Sequence, residues 1–155
     1  KIIRYATKKD TEFDLSKLVN ITKLECKDYN FEFIGKKLYE EALKNKWSAD
    51  LCSQFKTYEE YRELGIGVAA LFKGELVSGA SSYTVFNGGI EIEVDTRMDH
   101  RRKRLALICS AKLILECLKR GIYPSWDAHN KASLSLAQKL GYYLDKEYIA
   151  YELNL

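Results

Sequence analysis

The chain has 155 residues, of which 46% are apolar and 30% charged, and its 25 basic and 22 acidic residues leave a net charge of +3. A chain of this size and composition buries enough apolar surface to fold as one domain without disulfides, which excludes an intrinsically disordered protein. The nearly balanced charge and the absence of an apolar run of ~20 residues predict no nucleic-acid partner and no membrane partner.

The first half of the chain alternates short strands with short helices. The periodicity of apolar residues predicts a strand, a helix, a strand and a helix at residues 2–6, 13–24, 31–34 and 36–45. Thr57 and Glu60 form a capping-box pattern that opens a third helix, and Gly65 closes it.

A meander of three strands is predicted next, at residues 66–72, 75–86 and 89–96. The second strand is long enough to need a bend, which we place at Gly79. Asn87 and Gly88 both tolerate positive φ, so they predict a tight hairpin turn before the third strand. The third strand alternates, so one face carries Ile90, Ile92 and Val94 and the other carries Glu91, Glu93 and Asp95.

The last third of the chain predicts a strand–helix–strand unit. The basic run HRRKR at residues 100–104 precedes a helix at 105–120 that is apolar nearly all round and should be buried. A strand at 123–128 and a helix that Asn130 and Gly141 cap come next. The final prediction is a pair of strands at 142–144 and 148–153.

The basic run lies where a strand end meets a helix start, which favours an anion. A helix N-terminus leaves amide N–H groups unpaired and carries about half a positive charge. Four cations at the same corner therefore indicate a ligand with a pyrophosphate or several phosphates. The alternative is a solvated first turn, since each cation there opposes the helix dipole by only ~0.3–1 kcal/mol.

Five stretches in this order resemble the GNAT superfamily of acetyl-CoA-dependent N-acetyltransferases, and within it the branch that includes zwittermicin-resistance-type acetyltransferases. They are SGASSY at 78–83, IEIEVDT at 90–96, RRKRLA at 101–106, YPSWDA at 123–128 and residues 130–142. The resemblance, which covers residues 66–155, implies a mixed α/β fold with a central, mostly antiparallel sheet and helices on both faces. We expect residues 31–155 to form the acetyl-CoA-binding domain and residues 1–30 to be an N-terminal extension or the remnant of a preceding half.

The resemblance also implies which residues bind acetyl-CoA. The strand at 90–96 would hold the pantetheine arm of acetyl-CoA. The basic run and the helices that follow it would hold the remainder of the acetyl-CoA molecule. The implied residues are Val94, Asp95, Thr96, Arg101, Arg102, Lys103, Arg104, Leu105, Ala106, Asn130 and Ser133. Arg104 stands where the family has glycine, so its side chain either swings outward to contact phosphate or blocks the site. Asn130 is equally explained as a helix N-cap.

Glu93 and Glu91 are the candidate general bases, since a carboxylate can take the proton from an attacking amine. Acidic residues on one strand face are also typical of a half-solvated strand. The family often has a general-acid tyrosine where this chain has Ala137, and Tyr143 is the catalytic candidate nearby. We expect His100 and His129 on the surface.

These residues lead to the hypothesis of a cytoplasmic N-acetyltransferase that moves an acetyl group from acetyl-CoA to a primary amine of a small molecule by direct attack. No metal site is expected, because the four cysteines show no CxxC spacing, and a homodimer is left open. The alternative is a GNAT-shaped binding or regulatory module with weakened or lost turnover, which Arg104 and Ala137 favour. RNA binding by residues 100–104 is a weaker alternative, because aromatic residues do not interleave with the basic ones.

Overall fold

The computed structural model describes residues 1–151, which form five helices, two 3₁₀ turns and eight strands. The strands are β1 (Ile2–Thr7), β2 (Tyr29–Phe33), β3 (Gly67–Phe72), β4 (Glu75–Phe86), β5 (Gly89–Thr96), β6 (Tyr123–Ser125), β7 (Asp127–Ala128) and β8 (Leu144–Ala150). The helices are α1 (Leu15–Thr22), α2 (Lys36–Lys44), α3 (Tyr58–Leu64), α4 (Leu105–Lys119) and α5 (Lys131–Leu140), and the 3₁₀ turns are Ala49–Leu51 and Met98–His100. Within these residues, no helix combines the length and apolar character needed to cross a membrane.

The strands form two sheets. The larger has the order β2-β3-β4-β5-β6, in which β2 to β5 are antiparallel and β6 joins β5 in parallel. The smaller has the order β7-β1-β8 and is antiparallel throughout. The predicted mixed, mostly antiparallel sheet and the meander followed by a strand–helix–strand unit are confirmed.

Helices cover both faces of the larger sheet, also as predicted. On one face α2, α3 and the turn Ala49–Leu51 pack around the buried side chains of Leu51 and Tyr61. On the other face α4 packs on β3 and β4 with the buried residues Leu105, Cys109 and Leu113. Burial on nearly every side explains why the sequence of α4 is apolar all round.

Residues 1–30 contribute to both sheets and to the core. β1 is the central strand of the smaller sheet, α1 packs against α4 with Leu18 fully buried, and Tyr29 opens β2. Asp14 caps α1 by accepting a hydrogen bond from the Lys17 amide. The division of the chain at residue 30 into two units stays a prediction.

Two predicted strand boundaries are wrong. The strand predicted at 123–128 is divided, because Ser125 pairs with Glu91 of the larger sheet while Asp127 pairs with Ala6 of the smaller one. The pair predicted at 142–144 and 148–153 is instead the one strand β8, because β1 offers a pairing edge along its whole length. Residues 152–153 of that prediction lie outside the described residues.

The predicted bend at Gly79 is also misplaced. The register of β4 shifts beside residues 77 and 83. Gly79 instead lies where neighbouring residues pack closely against the β4 backbone. An added Cβ would lie 2.9 Å from Leu51 Cδ1 and 3.3 Å from the Val68 carbonyl oxygen. In the β4–β5 turn only Gly88 has positive φ, so Asn87 does not take the left-handed conformation that the hairpin prediction allowed.

Candidate active site

The larger sheet opens between β5 and β6. The two strands pair at three positions only, from Gly89 opposite Tyr123 to Glu91 opposite Ser125. β5 then continues to Thr96. The segment after β6 instead turns at the buried Trp126 and enters the smaller sheet at Asp127. Among residues 1–151, the second half of β5 therefore has no strand partner on this side, and a gap separates the two sheets.

A cavity of about 560 Å³ lies at the helical end of this gap, and we call it the basic cavity. Its walls come from the end of β5, the start of α4, the start of α5 and the segment between β5 and α4. The structure brings all eleven residues predicted to bind acetyl-CoA to its lining: Val94, Asp95, Thr96, Arg101, Arg102, Lys103, Arg104, Leu105, Ala106, Asn130 and Ser133.

Residues 101–104, which we call the basic loop, have an unusual backbone. Arg102 and Arg104 have φ values of +64° and +65°, in the left-handed region that glycine adopts most easily. Arg104 is the N-cap of α4 but provides no side-chain hydrogen bond to the helix. Left-handed residues near a helix start turn backbone N–H groups toward one concave side, which suits an anion.

The side chains of the basic loop are exposed, and no carboxylate of residues 1–151 forms an ion pair with them. Arg101 Nε donates a hydrogen bond of 3.4 Å to the Thr96 carbonyl oxygen, which ties the loop to the end of β5. The loop thus offers four cations and the unpaired amides of α4 at one corner.

Asn130 and Ser133 have structural partners as well as a place in the cavity wall. Asn130 Oδ1 accepts a hydrogen bond of 2.8 Å from the Ser133 amide and caps α5. Ser133 Oγ accepts a hydrogen bond of 3.1 Å from Trp126 Nε1. These bonds fix α5 at the point where the chain leaves the larger sheet.

A second cavity of about 690 Å³ adjoins the first, and we call it the acidic cavity. Among the described residues, its lining has one guanidinium, that of Arg4, and five carboxyl groups, on Asp50, Glu91, Glu93, Asp95 and Asp127. The two cavities share Val94, Asp95, His129 and Ser133 in their linings, so they meet where β5 parts from β6.

Glu93 and Asp95 form the most perturbed ionisable pair in the gap. Burial raises the pKa of Glu93 to about 9, and the neighbouring carboxyl of Asp95 adds to the rise. Burial also raises the pKa of Asp95, whose Oδ2 is out of solvent and has no hydrogen-bond partner among residues 1–151. Such a pair can hold one proton between its two carboxyl groups.

Glu91 has a different environment from Glu93. The Lys9 ammonium lies 3.9 Å from Glu91 Oε1 and also donates a hydrogen bond of 3.1 Å to Ser125 Oγ. Glu91 therefore already faces a cation of this chain at the edge of the acidic cavity, whereas no ion pair involves Glu93 among the described residues.

A cluster of Arg4, Asp127 and Tyr148 was missed by the sequence analysis. Arg4 Nε donates to Asp127 Oδ1 at 2.9 Å, and the Tyr148 hydroxyl donates to Asp127 Oδ2 at 2.6 Å. The three residues come from β1, β7 and β8, and Arg4 lies directly opposite Tyr148 in the strand register. The alternation of each strand was the available signal, but nothing local in the sequence pairs the first strand with the last.

The predicted catalytic tyrosine does not lie in the gap. Tyr143 is 63% exposed and lines neither cavity, and its neighbour Tyr142 is buried with its hydroxyl donating to the Pro124 carbonyl oxygen at 2.5 Å. Ala137 is fully buried on the inner side of α5 and lines neither cavity. The hydroxyl groups that do line the acidic cavity include those of Tyr83 and Tyr148.

The two histidines differ. His129 is exposed as predicted, but the prediction of a surface position for His100 is wrong. His100 is 9% exposed because Tyr29 and Phe72 cover its ring, and its Nδ1 is hydrogen-bonded to the Tyr29 hydroxyl at 2.8 Å. Among residues 1–151, no group of His, Cys, Asp and Glu side chains is arranged to hold a metal ion.

Comparison with known proteins gives a family and several relatives. The profile of the family described as GNAT acetyltransferase matches residues 1–151. The crystal structure of a GCN5-related N-acetyltransferase-like protein from Streptococcus suis 89/1591 is 52% identical and superposes with a TM-score of 0.93 over 95% of this chain and 59% of that one. The uncharacterized N-acetyltransferase YdfB of Bacillus subtilis (strain 168) is 33% identical over 103 residues, which are 61% of this chain and 40% of that protein.

A more distant structure shares the fold alone. The aminoglycoside N-acetyltransferase AAC(6')-Iy, solved in complex with CoA, is 14% identical and has a TM-score of 0.57 over 81% of this chain and 94% of that one. The present chain spans less than two thirds of the Streptococcus and Bacillus relatives. The narrower resemblance to the zwittermicin-resistance-type branch stays a prediction.

Proposed function

Because the chain belongs to the GNAT acetyltransferase family, we propose that it transfers the acetyl group of acetyl-CoA to a primary amine of a small molecule. One observation carries the proposal: a basic cavity and an acidic cavity meet at the open edge of β5. The first suits the phosphates of a nucleotide, and the second suits a positively charged amine.

The residues of the basic cavity fit the diphosphate of acetyl-CoA. Within residues 1–151 no side chain caps the first amides of α4, so an anion can accept their hydrogen bonds. Arg104 has the left-handed backbone conformation that a glycine would adopt at this position. A cavity of about 560 Å³ remains beside it, which favours binding of acetyl-CoA over blockage of the site by the Arg104 side chain. The CoA complex of the aminoglycoside N-acetyltransferase with this fold supports the same ligand.

The open edge of β5 suits the acyl end of the ligand. When bound there, acetyl-CoA would supply a thioester carbonyl as the electrophile. Val94 and Asp95 line both cavities, and among residues 1–151 the backbone of residues 94–96 has no strand partner on the gap side. A backbone N–H at this edge can polarise a carbonyl as charge develops on its oxygen.

Glu93 is the residue we assign as general base. As the amine nitrogen bonds to the acetyl carbon, the C–S bond breaks, CoA leaves as a thiolate, and the proton of the nitrogen goes to the Glu93 carboxylate. A base with a pKa of about 9 is matched to an amine and ionises in the same range of pH. Asp50, Asp95 and Asp127 add negative charge that attracts an ammonium group to the cavity.

A binding or regulatory module with lost turnover is the second candidate. It is favoured by the burial of Ala137 and by the position of Tyr143 outside the gap, which leave the predicted general-acid positions without a usable hydroxyl. This candidate predicts acetyl-CoA binding without amine-dependent release of CoA.

Two measurements separate the candidates. Thermal unfolding with acetyl-CoA at 100 times its Kd should show about 2.7 kcal/mol of added stability. A thiol-detection assay with a panel of primary amines should then show CoA release. Release supports the transferase, binding without release across the panel supports the silent module, and no thermal shift at millimolar acetyl-CoA contradicts both.

A further inference from the structure

The basic loop has a strained backbone at two residues, and the side chains of those two residues form no hydrogen bond with residues 1–151. Arg102 and Arg104 are both left-handed and lie within three residues of each other. This conformation is less favourable than the right-handed one for any residue other than glycine. Both side chains are exposed, so the restraint on the backbone must come from other parts of the molecule.

One turn before β2 makes two contacts with this segment. The Tyr29 hydroxyl is hydrogen-bonded to His100 Nδ1 at 2.8 Å, and Cys26 Sγ donates to the Lys103 carbonyl oxygen at 3.3 Å. The Tyr29 amide donates to the Cys26 carbonyl oxygen at 3.2 Å, so a single tight turn presents both groups. One contact fixes the residue just before the basic loop and the other fixes the loop backbone itself.

His100 is well held on the other sides too. Its ring centroid lies 5.7 Å from that of Tyr29 in an edge-on arrangement and 5.0 Å from that of Phe72. Its Nε2 lies 3.8 Å from Asp99 Oδ2. Tyr29 and Phe72 are partners in the β2–β3 register, so the pairing of these strands builds the pocket that receives His100.

We propose that Tyr29 and His100, together with Cys26, are positioning residues that hold the basic loop in its left-handed conformation before the ligand binds. The inference rests on the proposed function, because the ligand of the loop is then acetyl-CoA. A loop that is already ordered binds with less loss of conformational freedom. The turn before β2 thus supports the phosphate end of the site from a distance of 71 residues in sequence.

The test combines Tyr29→Phe with Arg104→Gly and measures acetyl-CoA affinity by titration calorimetry. Tyr29→Phe should weaken binding by about three- to tenfold, the range for one lost hydrogen bond, while kcat at saturating acetyl-CoA stays unchanged. Glycine adopts the left-handed conformation without penalty, so in the Arg104→Gly background the same change should cost less than about twofold. An equal loss in both backgrounds, or no loss in either, would overturn the proposal.

Conservative and control variants separate positioning from general damage. His100→Asn keeps a polar atom near the place of Nδ1 and should retain most of the affinity that His100→Leu loses. Equal losses in the two variants would contradict the proposed role. Tyr151→Phe removes a hydroxyl from a tyrosine that is 75% exposed and should change nothing.

A readout without ligand distinguishes failure of this inference from failure of the proposed function. The Ile108 amide donates to the Arg104 carbonyl oxygen at 3.0 Å, in the first intrahelical hydrogen bond of α4. Tyr29→Phe should speed hydrogen exchange at Ile108 but not at Ile114, deeper in the helix. Unchanged exchange at Ile108 overturns the positioning role even in a protein that binds acetyl-CoA. Faster exchange supports the role even where acetyl-CoA does not bind.

Discussion

The two cavities at the open edge of β5 differ in the sign of their charged groups and in how far those groups are exposed to solvent. The basic cavity presents exposed cations, four from residues 101–104 and one from Lys139 of α5, together with the unpaired backbone amides at the start of α4. The acidic cavity presents carboxyl groups from β5, β7 and the turn Ala49–Leu51, and its most perturbed pair is largely buried. Solvent screens exposed charges, so the loss of any one of them has a small effect on binding. Burial instead shifts the pKa of a carboxyl group, so the loss of that one group has a large effect.

This difference predicts unequal responses to mutation. Removing one cation from the basic cavity should change affinity modestly, because the other cations and the amides of α4 remain. Changing one buried carboxyl in the acidic cavity should alter chemistry and the pH dependence of stability together.

The largest effect is expected for Glu93→Gln. Loss of the general base should lower kcat by at least about 100-fold, with little change in acetyl-CoA affinity. The rise of kcat with pH toward the pKa of about 9 should disappear in the variant. Glu91→Gln, at a residue beside the Lys9 ammonium, is the matched control and should cost less than about tenfold. Full activity of Glu93→Gln would show that another group takes the proton.

The same substitution should change how stability depends on pH. Glu93 has a folded-state pKa of about 9, which lies above the usual value of about 4.3. The folded protein therefore binds this proton more tightly than the unfolded chain, and its stability falls as pH rises between these values.

Urea unfolding at pH 5 and pH 9 measures this loss. The native chain should lose at least about 1 kcal/mol more free energy of unfolding across that interval than Glu93→Gln, which has no proton to lose. Parallel curves for the two proteins would mean that Glu93 titrates as an ordinary exposed glutamate.

The smallest effect is expected in the basic loop. Lys103→Gln should weaken acetyl-CoA binding by only about two- to fivefold at low salt, and by less at 0.5 M salt. Lys146→Gln removes the same charge from an exposed residue of β8 and is the matched control. A 100-fold loss of acetyl-CoA affinity in Lys103→Gln would contradict the expectation that single cations of the basic cavity matter less than single carboxyl groups of the acidic cavity.

The basic cavity could be predicted from the sequence because its parts are local. A strand end, a basic run and an apolar helix follow each other directly, and Asn130 caps the next helix by a bond to a residue three positions away. Local patterns of this kind fix both the elements and the side of the molecule on which they meet.

The acidic cavity was only partly predicted because long-range pairing builds it. Glu91 and Glu93 lie on a strand whose alternation is visible, but Arg4 reaches Asp127 only because β1 pairs with β7 and β8. Partners that are distant in sequence also explain two other differences from the prediction. They divide the predicted strand at Trp126, and they bury His100 under Tyr29. Nearness in sequence to the motif favours Tyr143 as the catalytic hydroxyl, but the turn after α5 leaves this residue exposed.

The crystal structure of the chain grown with CoA tests the joined cavities most directly. We predict that the diphosphate lies against the first amides of α4, at Leu105 and Ala106, with the sulfur at the open edge of β5 beside Val94. A diphosphate bound away from α4, or a sulfur that points away from the acidic cavity, would contradict this prediction.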